Sequence, residues 1–521
     1  MSLRPDLAHL SVAELHVLLA QKEQALASRD QLLASKDQEL HWRQIKIEQL
    51  THEISLHRRW RFGAKTEQFS VAQAQLFDET IDADLAAIEE ELEQLKSAAP
   101  SEGPAKAKPK RAPLPAGLPR TDIHHEPDFT TCACGCQMTR IGEDVAEKLD
   151  YTPGTFTVER HVRGKWACKP CQTLIQAAVP AQVIDKGIPT AGLLAHVLIA
   201  KYADHLPLYR QEAIFGRAGL ALPRSTLAQW VGQCGVALQP LVDALTSVML
   251  GSHVLHADET PVAMLDPGAG KTKRAYLWAY SLGAHDPTKA VIYDFAESRA
   301  GKHVQEFLGD WRGTLVCDDY SGYKALLAKA GQAGVQEGGC MAHARRKFFD
   351  LHKANKSQIA ADAMAYIGQL YEIEREAKDL EPDPRRQIRQ DKAAPIADAL
   401  HAWLLMQRAR VPNGSGTAAA IDYSLKRWAA LTHYLTDGQV PIDNNWIENQ
   451  IRPIAIGRKN WLFAGSLRAG KRAAAIMSLI QSAKLNGHDP YFYLKDVLTR
   501  LPTQPNSRIE ELLPHCWRPL A

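Results

Sequence analysis

Five pieces of sequence decide the fold. They are His253-Val-Leu-His-Ala-Asp258, AYLWAYSL (275–282), KAVIYDFAES (289–298), AGKHVQEFLGDW (300–311) and Gly313-Thr-Leu-Val-Cys-Asp318-Asp319. Four of them are short and rich in aliphatic and aromatic residues, and they read as strands. The piece 300–311 reads as a helix. The first and last strands end in acids. An acid at a strand end is ordinarily an exposed loop residue, so position alone assigns it no role.

Strand, strand, strand, helix, strand is the opening order of an RNase H-like α/β core. The first and fourth strands pair in that fold, which would make Asp258 and Asp318 neighbours. A third carboxylate is expected from a later helix. The candidate is Glu448, in Pro441-Ile-Asp-Asn-Asn-Trp-Ile-Glu448-Asn-Gln-Ile-Arg452. Asp318 follows Asp258 by 60 residues, and Glu448 follows Asp318 by 130. The second interval is long, and the largely helical texture of 357–435 reads as an insertion. Three carboxylates suit hard divalent cations, which take oxygen ligands and keep water and phosphate in their shell. Two such ions, Mg²⁺ or Mn²⁺, can clamp the attacking and leaving oxygens of a phosphoryl displacement.

The remaining segments are read around this core. The chain has 521 residues, 45% of them hydrophobic and 23% charged, enough for about three to five domains. A mean hydropathy of −0.27 excludes neither a globular nor a multidomain chain, but the composition excludes a fibrous or wholly disordered one. No apolar run is read as reaching the ~18 residues of a membrane span, and no signal peptide is read at the N-terminus. A cytoplasmic location, at the nucleoid when bound to DNA, is expected.

Net charge is only +3. Local charge is larger. Residues 78–93 hold eight acids and no base, read as a solvated helix face. Residues 96–120 are basic and proline-rich, a tether. Arg452, Arg458, Lys459, Arg468, Lys471 and Arg472 cluster after Glu448 and suit phosphate contacts. Trp461 among them suits stacking on an unpaired base; for Phe463 a core position is preferred. His343, Arg345 and Arg346 follow a further strand. His343 reads either as a phosphate or metal-water contact or as a packed histidine.

Five of nine cysteines fall between 132 and 171. Cys168 and Cys171 form a standard knuckle. Cys132, Cys134 and Cys136 offer three thiols where one Zn²⁺ wants two more. Which four would bind is left open. Residues 189–235 read as helices, and PLYRQEAIFGRAGLALPRSTLAQWV outlines a helix-turn-helix, with Arg224, Ser225, Thr226 and Gln229 facing DNA; two ordinary packed helices fit equally. Val12, Leu19, Leu26, Leu33, Leu40, Ile47 and Ile54 recur every seven residues, as in a coiled coil; a long helix folded on its own protein is the alternative.

Several long motifs resemble one family. DNNWIENQIRPIAIGRKNWLFAGSLRAGKRAAAIMSLIQSAKLNGHDPYFYLKDVLTRLP (443–502) is similar to the C-terminal part of the bacterial insertion-sequence 66 transposases. HADETPV (256–262), CDDYSGY (317–323), GGCMAHARRKFFD (338–350), RRWRFGAKTEQF (58–69) and the CACGC…CKPC module resemble that family's other motifs, in order. The resemblance implies a DDE transposase with Asp258, Asp318 and Glu448 as metal-binding triad, acting on terminal inverted repeats and target DNA. It also implies accessory proteins of the same element. Asp319 stands where the family has glycine, and Thr131 where it has a cysteine, so Cys132 or Cys136 must substitute.

The expected organisation is multidomain α/β. Residues 1–95 form a long helix pairing protomers, 96–120 the linker, 121–183 a zinc-finger-like module and 184–250 a helix-turn-helix-like region. The catalytic core begins over 251–356, is interrupted by helices at 357–435, and resumes at 436–480 with the glutamate helix. Residues 481–521 form a C-terminal segment. A nuclease of the same fold, or a non-catalytic repressor or scaffold, are the alternatives.

Overall fold

A computed structural model describes residues 12–62, 71–97, 114–152, 154–185, 187–266, 271–324 and 334–519. Most of the proline-rich tether and part of 58–69 lie outside these. The chain divides into two compact units, residues 1–64 with 88–108, and residues 65–87 with 109–521.

The first unit is built on helix α1 (Val12–Phe62) and the end of α2 (Val71–Ser97). Along the seven-residue stripe, Ile47 and Ile54 pack around Leu50, Ile88 and Leu92. Leu26, Leu33 and Leu40 are 59%, 61% and 60% exposed. The stripe is therefore covered at its C-terminal end and open in its middle. The side chains of Val12 and Leu19 lie outside the described residues.

The second unit is mixed α/β. Its first sheet holds β1 (Arg120–His125), β2 (Thr139–Thr152), β3 (Thr155–Cys168) and β4 (Thr173–Gln176) around β3. Helices α3 (Ala191–Tyr202), α4 (Leu208–Arg217) and α5 (Arg224–Leu250) follow. By length and composition α5 is apolar enough to cross a membrane, which corrects the sequence expectation that no segment is. Its Leu227, Trp230, Val231, Leu238 and Leu245 are instead core residues of this unit.

The second sheet holds β5 (Val254–Asp266), β6 (Lys271–Leu282), β7 (Val291–Ala296), β8 (Gly313–Val316) and β9 (Val335–Gly338), with α6 (Lys302–Leu308) between β7 and β8. Its order is β7-β6-β5-β8-β9. The pairs β7–β6 and β6–β5 are antiparallel, and β5–β8 and β8–β9 parallel. Edge strand β7 is closed by the helix Leu467–Leu485.

Helices α7 (Met341–Asn355), α8 (Gln358–Glu376), α9 (Pro382–Ile388), α10 (Ala394–Arg408), α11 (Gly416–Lys426) and α12 (Trp428–Thr432) follow β9. Their own apolar core includes Phe348, Ile367, Leu370, Leu400 and Ile421, with Val254 and Val316 of the sheet. Arg389, fully buried, ties this helical layer to the chain that leads onward. Its guanidinium is bidentate to Glu374 at 2.8 and 2.7 Å and donates to the carbonyls of Tyr434, Asp437 and Val440, each at 2.9 Å. The fork geometry of arginine makes such saturation possible.

Helices α13 (Asn445–Gly457), α14 (Leu467–Leu485) and α15 (Pro490–Arg500) complete the unit. Two serines one turn apart on α14 satisfy the open edge of β7. Ser478 Oγ accepts from Tyr293 N at 2.8 Å, and Ser482 Oγ accepts from Val291 N and donates to Val291 O, both at 3.0 Å. Unpaired edge groups are a pairing hazard, and a covering helix removes it.

The acidic run is not a solvated face throughout, which corrects the sequence reading. Glu79, Asp82 and Asp84 are 2%, 5% and 0% exposed. Glu79 pairs with Lys201 and accepts from Leu208 N at 3.0 Å. Asp84 pairs with Arg472 at 2.9 Å and accepts from Ser466. Gly232 of α5 lets α2 approach, since a Cβ there would lie 2.4 Å from Ala83 O. A charge density that looks solvated in sequence thus has three of its eight acids buried, two of them in the ion pairs described. Removing one partner of a buried pair strands the other charge. Asp84→Ala is expected to lower unfolding free energy by about 3–5 kcal/mol in urea denaturation; a loss within error would contradict the pairing's importance.

Candidate active site

The β5–β8 ladder pairs Val254 with Thr314, Leu255 with Leu315 and His256 with Val316. Every pair is offset by the 60 residues that separate Asp258 from Asp318. The ladder stops two residues short of the aspartates, and the charge of Asp318 is felt at Asp258. Parallel pairing of β5 and β8 is what carries the 60-residue spacing into the sheet.

Glu448 arrives from the first turn of α13, and Asn444 fixes where that turn starts. Asn444, 1% exposed, is the residue before α13. Its side-chain amide donates to Ala257 O at 2.9 Å, and its Oδ1 meets His256 Nδ1 at 2.7 Å. Its backbone N–H donates to Cys340 Sγ at 3.3 Å. The helix carrying Glu448 is thus bonded to the two residues before Asp258. Sequence reasoning missed Asn444 and His256; the signal was present in the doubled asparagine of Asp443-Asn444-Asn445, a helix-start pattern.

Burial pushes the Asp258 carboxyl up to about 8, and the negative charges of Glu259, Glu448 and Asp318 push it the same way. Glu448 Oε1 is buried without a hydrogen-bond partner. A cluster of carboxylates short of positive charge, with an orphaned oxygen, has the donor set of a hard divalent cation site.

Asp318 and Asp319 follow β8 and take different partners. Asp318 Oδ1 accepts from Tyr320 N at 2.9 Å and its charge reaches Asp258. Asp319 pairs instead with Lys324 and lies 3.5 Å from Arg427. Glu259, also missed in sequence, is buried and held by Tyr323 Oη at 2.6 Å and by Arg299 Nε at 2.6 Å. Arg299 stacks on Tyr320, 3.6 Å from the ring centroid. Arg299 therefore neutralises the acid next to Asp258, and the tyrosines of the CDDYSGY motif position the pair, Tyr323 on Glu259 and Tyr320 under Arg299.

His343 lies in the first turn of α7 with Nδ1 3.7 Å from Glu448 Oε1. Arg345 and Arg346 are exposed on the same helix, and Arg452, Lys459 and Lys471 are exposed beyond Glu448. The other bases do different work. Arg458 is bonded to Thr260 Oγ1 at 3.0 Å and to Pro261 O, clamping β5. Arg472 is buried on Asp84. Trp461 is half-buried, its indole N–H donating to His205 Nδ1 at 3.4 Å, and Phe463 is buried in the fold. These placements remove Arg472 from any exposed phosphate-binding face and give Arg458 and Trp461 structural partners.

The helix-turn-helix outline forms as two helices with Gly219 at φ +83° between them. Arg224 N–H donates to Glu212 Oε1 at 3.0 Å, Ser225 and Thr226 are half-buried, and Gln229 is exposed.

In the first sheet, Cys132, Cys134, Cys168 and Cys171 bring their sulfurs within 4.8 Å of one another. Gly135, at φ +82°, turns the chain between Cys134 and Cys136, with Gly135 N donating to Cys132 O at 2.8 Å. Cys132 therefore fills the place that Thr131 leaves vacant, and Cys136 stands outside the set. Hydrogen bonding, chiefly from the Cys171 thiol, draws the Cys134 thiol down to about 6. Four sulfurs converging in this way fit a structural zinc site.

With this geometry in place, comparison with known proteins identifies the class. The chain belongs to the transposase IS66 family, which matches residues 186–472. Residues 478–515 match the IS66 C-terminal element, 130–172 the zinc-finger binding domain of transposase IS66, and 49–123 the transposase C of IS166 homeodomain. Among similar proteins are two uncharacterized proteins of Sinorhizobium fredii (strain NBRC 101917 / NGR234). One, y4qI, is 37% identical over 493 residues, covering 91% of this chain and 90% of its own. The other, y4jD, is 38% identical over 419 residues, covering 78% and 81%. A solved structure, the Drosophila P element transposase strand transfer complex, aligns over 62% of this chain and 84% of its own at 13% identity and a TM-score of 0.21, a likeness too slight to carry a conclusion.

The cysteine geometry yields a direct test. Cys132→Ser is expected to lose one equivalent of tightly held zinc per chain relative to the unmodified protein, and Cys136→Ser none, by metal analysis after dialysis. The reverse pattern would reassign the fourth ligand.

Proposed function

We propose that the protein is a DDE transposase that cleaves insertion-sequence ends and joins them to target DNA on an RNase H-like core. The observation that carries this reading is the buried carboxyl of Asp258 on β5, raised by burial and, in the same direction, by the charges of Glu448 on α13 and Asp318 after β8. The sheet order supports the fold assignment: the first three strands are antiparallel, and the fourth and fifth run parallel beside the first.

Asp258, Asp318 and Glu448 would hold two Mg²⁺ or Mn²⁺ ions. Bound there, such ions supply Lewis-acid stabilisation of the attacking and leaving oxygens in an in-line phosphoryl displacement. The protein's own work is positioning. Asn444 and Arg458 fix β5 against α13, and the Arg299–Glu259–Tyr323 group keeps the neighbouring acid out of the trio. Arg345, Arg346, Arg452, Lys459 and Lys471 would hold phosphates, giving affinity without sequence information. The cleavage step frees a 3′-OH at the element end, and that 3′-OH then displaces a 3′-oxygen in the target strand. Holding the two in line supplies much of the rate.

The Cys132/Cys134/Cys168/Cys171 module, with one Zn²⁺, and the α4–α5 pair with Arg224, Ser225, Thr226 and Gln229 would hold the terminal repeats. Two ends must meet, and the open stripe at Leu26, Leu33 and Leu40 supports pairing of protomers through α1. Accessory proteins of the same element would join the complex.

The experiment is strand transfer with pre-cut element ends in Mg²⁺. Asp258→Asn, Asp318→Asn and Glu448→Gln are each expected to lower joining by about 10³-fold or more, the scale of losing a key electrostatic group. Asp319→Asn, whose partners are Lys324 and Arg427, is expected to keep most activity. Cut DNA with no joined species would assign a nuclease. End binding indifferent to Mg²⁺, with no cleavage, would assign a repressor or scaffold.

A further inference from the structure

Beside the carboxylate trio lies a second cluster of different chemistry. Cys340, His343 and Glu448 bring one ligand atom each within 4.8 Å of one another. Apart from the four cysteines of the first sheet, it is the one group of three or more His, Cys, Asp or Glu side chains that meets so closely among the described residues.

The local structure builds this cluster deliberately. Cys340 is the residue before α7 and His343 lies in that helix's first turn, the three-residue spacing that turns two side chains toward one point. No side-chain cap is spent by Cys340 on its own helix. Its sulfur instead accepts the Asn444 N–H at 3.3 Å. Burial pushes the Cys340 thiol up to about 12, with the backbone N–H groups of Asn444 and His343 opposing; a metal ion binds there by displacing the thiol proton. An outer N–H donor is the kind of support that tunes a metal-bound ligand. The other two members lack partners: His343 Nδ1 and Glu448 Oε1 are buried, 3.7 Å apart, with no hydrogen bond. The side chains of His343 and Glu448 are 30% and 20% exposed, which leaves an entry path.

We propose that Cys340, His343 and Glu448 form a binding site for a thiophilic divalent ion, Zn²⁺ in the cell, which shares Glu448 with the hard-cation site. Sulfur, imidazole and carboxylate together suit Zn²⁺, and three protein ligands leave its fourth position open. Mg²⁺ has little use for the thiolate or the imidazole. The two ion classes therefore divide the residues around α13, and both draw on Glu448. Zn²⁺ at this site takes the glutamate away from Asp258 and Asp318, so Zn²⁺ inhibits a Mg²⁺-supported reaction; this consequence rests on the transposase reading, while the binding itself does not.

The test titrates the full-length protein with Zn²⁺ against a chromophoric chelator and counts tight sites. The unmodified protein is expected to hold two ions per chain, one in the cysteine module and one here. Cys340→Ser and His343→Ala are each expected to hold one, with the far-ultraviolet circular dichroism spectrum unchanged. Glu448→Gln is expected to weaken the second site by at least about tenfold, the loss seen on removing even an outer partner of a bound metal. A single site in the unmodified protein, or two sites retained in both Cys340→Ser and His343→Ala, would overturn the proposal. Strand transfer in Mg²⁺ with added Zn²⁺ is the second arm. Inhibition relieved in Cys340→Ser supports the sharing of Glu448, and inhibition equal in both proteins overturns it. Two Zn²⁺ sites with no strand transfer under any metal would sink the catalytic reading alone.

Discussion

The contact on which the site depends is the one made by Asn444. Its amide spans two adjacent residues of β5, His256 and Ala257, and its backbone reaches Cys340. Three elements far apart in sequence, a strand, the start of α7 and the start of α13, meet on this one buried residue. Asp258 follows the first, His343 the second and Glu448 the third. A buried amide left without partners is costly, so the satisfied network specifies one arrangement. Arg389 performs the parallel service upstream by collecting the carbonyls of Tyr434, Asp437 and Val440, which sets the path into Asp443 and Asn444.

The strand pattern was legible because its signals are local. Short apolar runs and their order led to the five-stranded sheet, and the interval between Asp258 and Asp318 turned out to equal the register of the β5–β8 ladder. The different partners of Asp318 and Asp319 arise in the turn after β8, where Asp318 accepts from Tyr320 N and Asp319 pairs with Lys324. The helical texture of 357–435 was legible, and the apolar core of these helices takes in Val254 and Val316 of the sheet.

What was not legible depended on partners distant in sequence. The acids of 78–93 look solvated because nothing nearby pairs with them; Lys201 and Arg472, which do, lie over a hundred residues away. The same pairing removed Arg472 from the basic cluster, and Thr260 and Pro261 claimed Arg458. Charge runs report composition, whereas burial is decided by tertiary contacts. Asn444 was overlooked for a related reason. Its importance comes from two hydrogen bonds to a strand nearly two hundred residues earlier, and nothing in its own neighbourhood announces them.

The central claim is that Asp258, Asp318 and Glu448 form one divalent-cation site. The most direct measurement is anomalous scattering from crystals of the protein grown with Mn²⁺. Manganese peaks bounded by carboxylate oxygens of Asp258, Asp318 and Glu448, with Asp319 still on Lys324 and Arg427, are the expected result. Manganese on Asp319 or Glu259, or no peak among the three acids, would contradict the account.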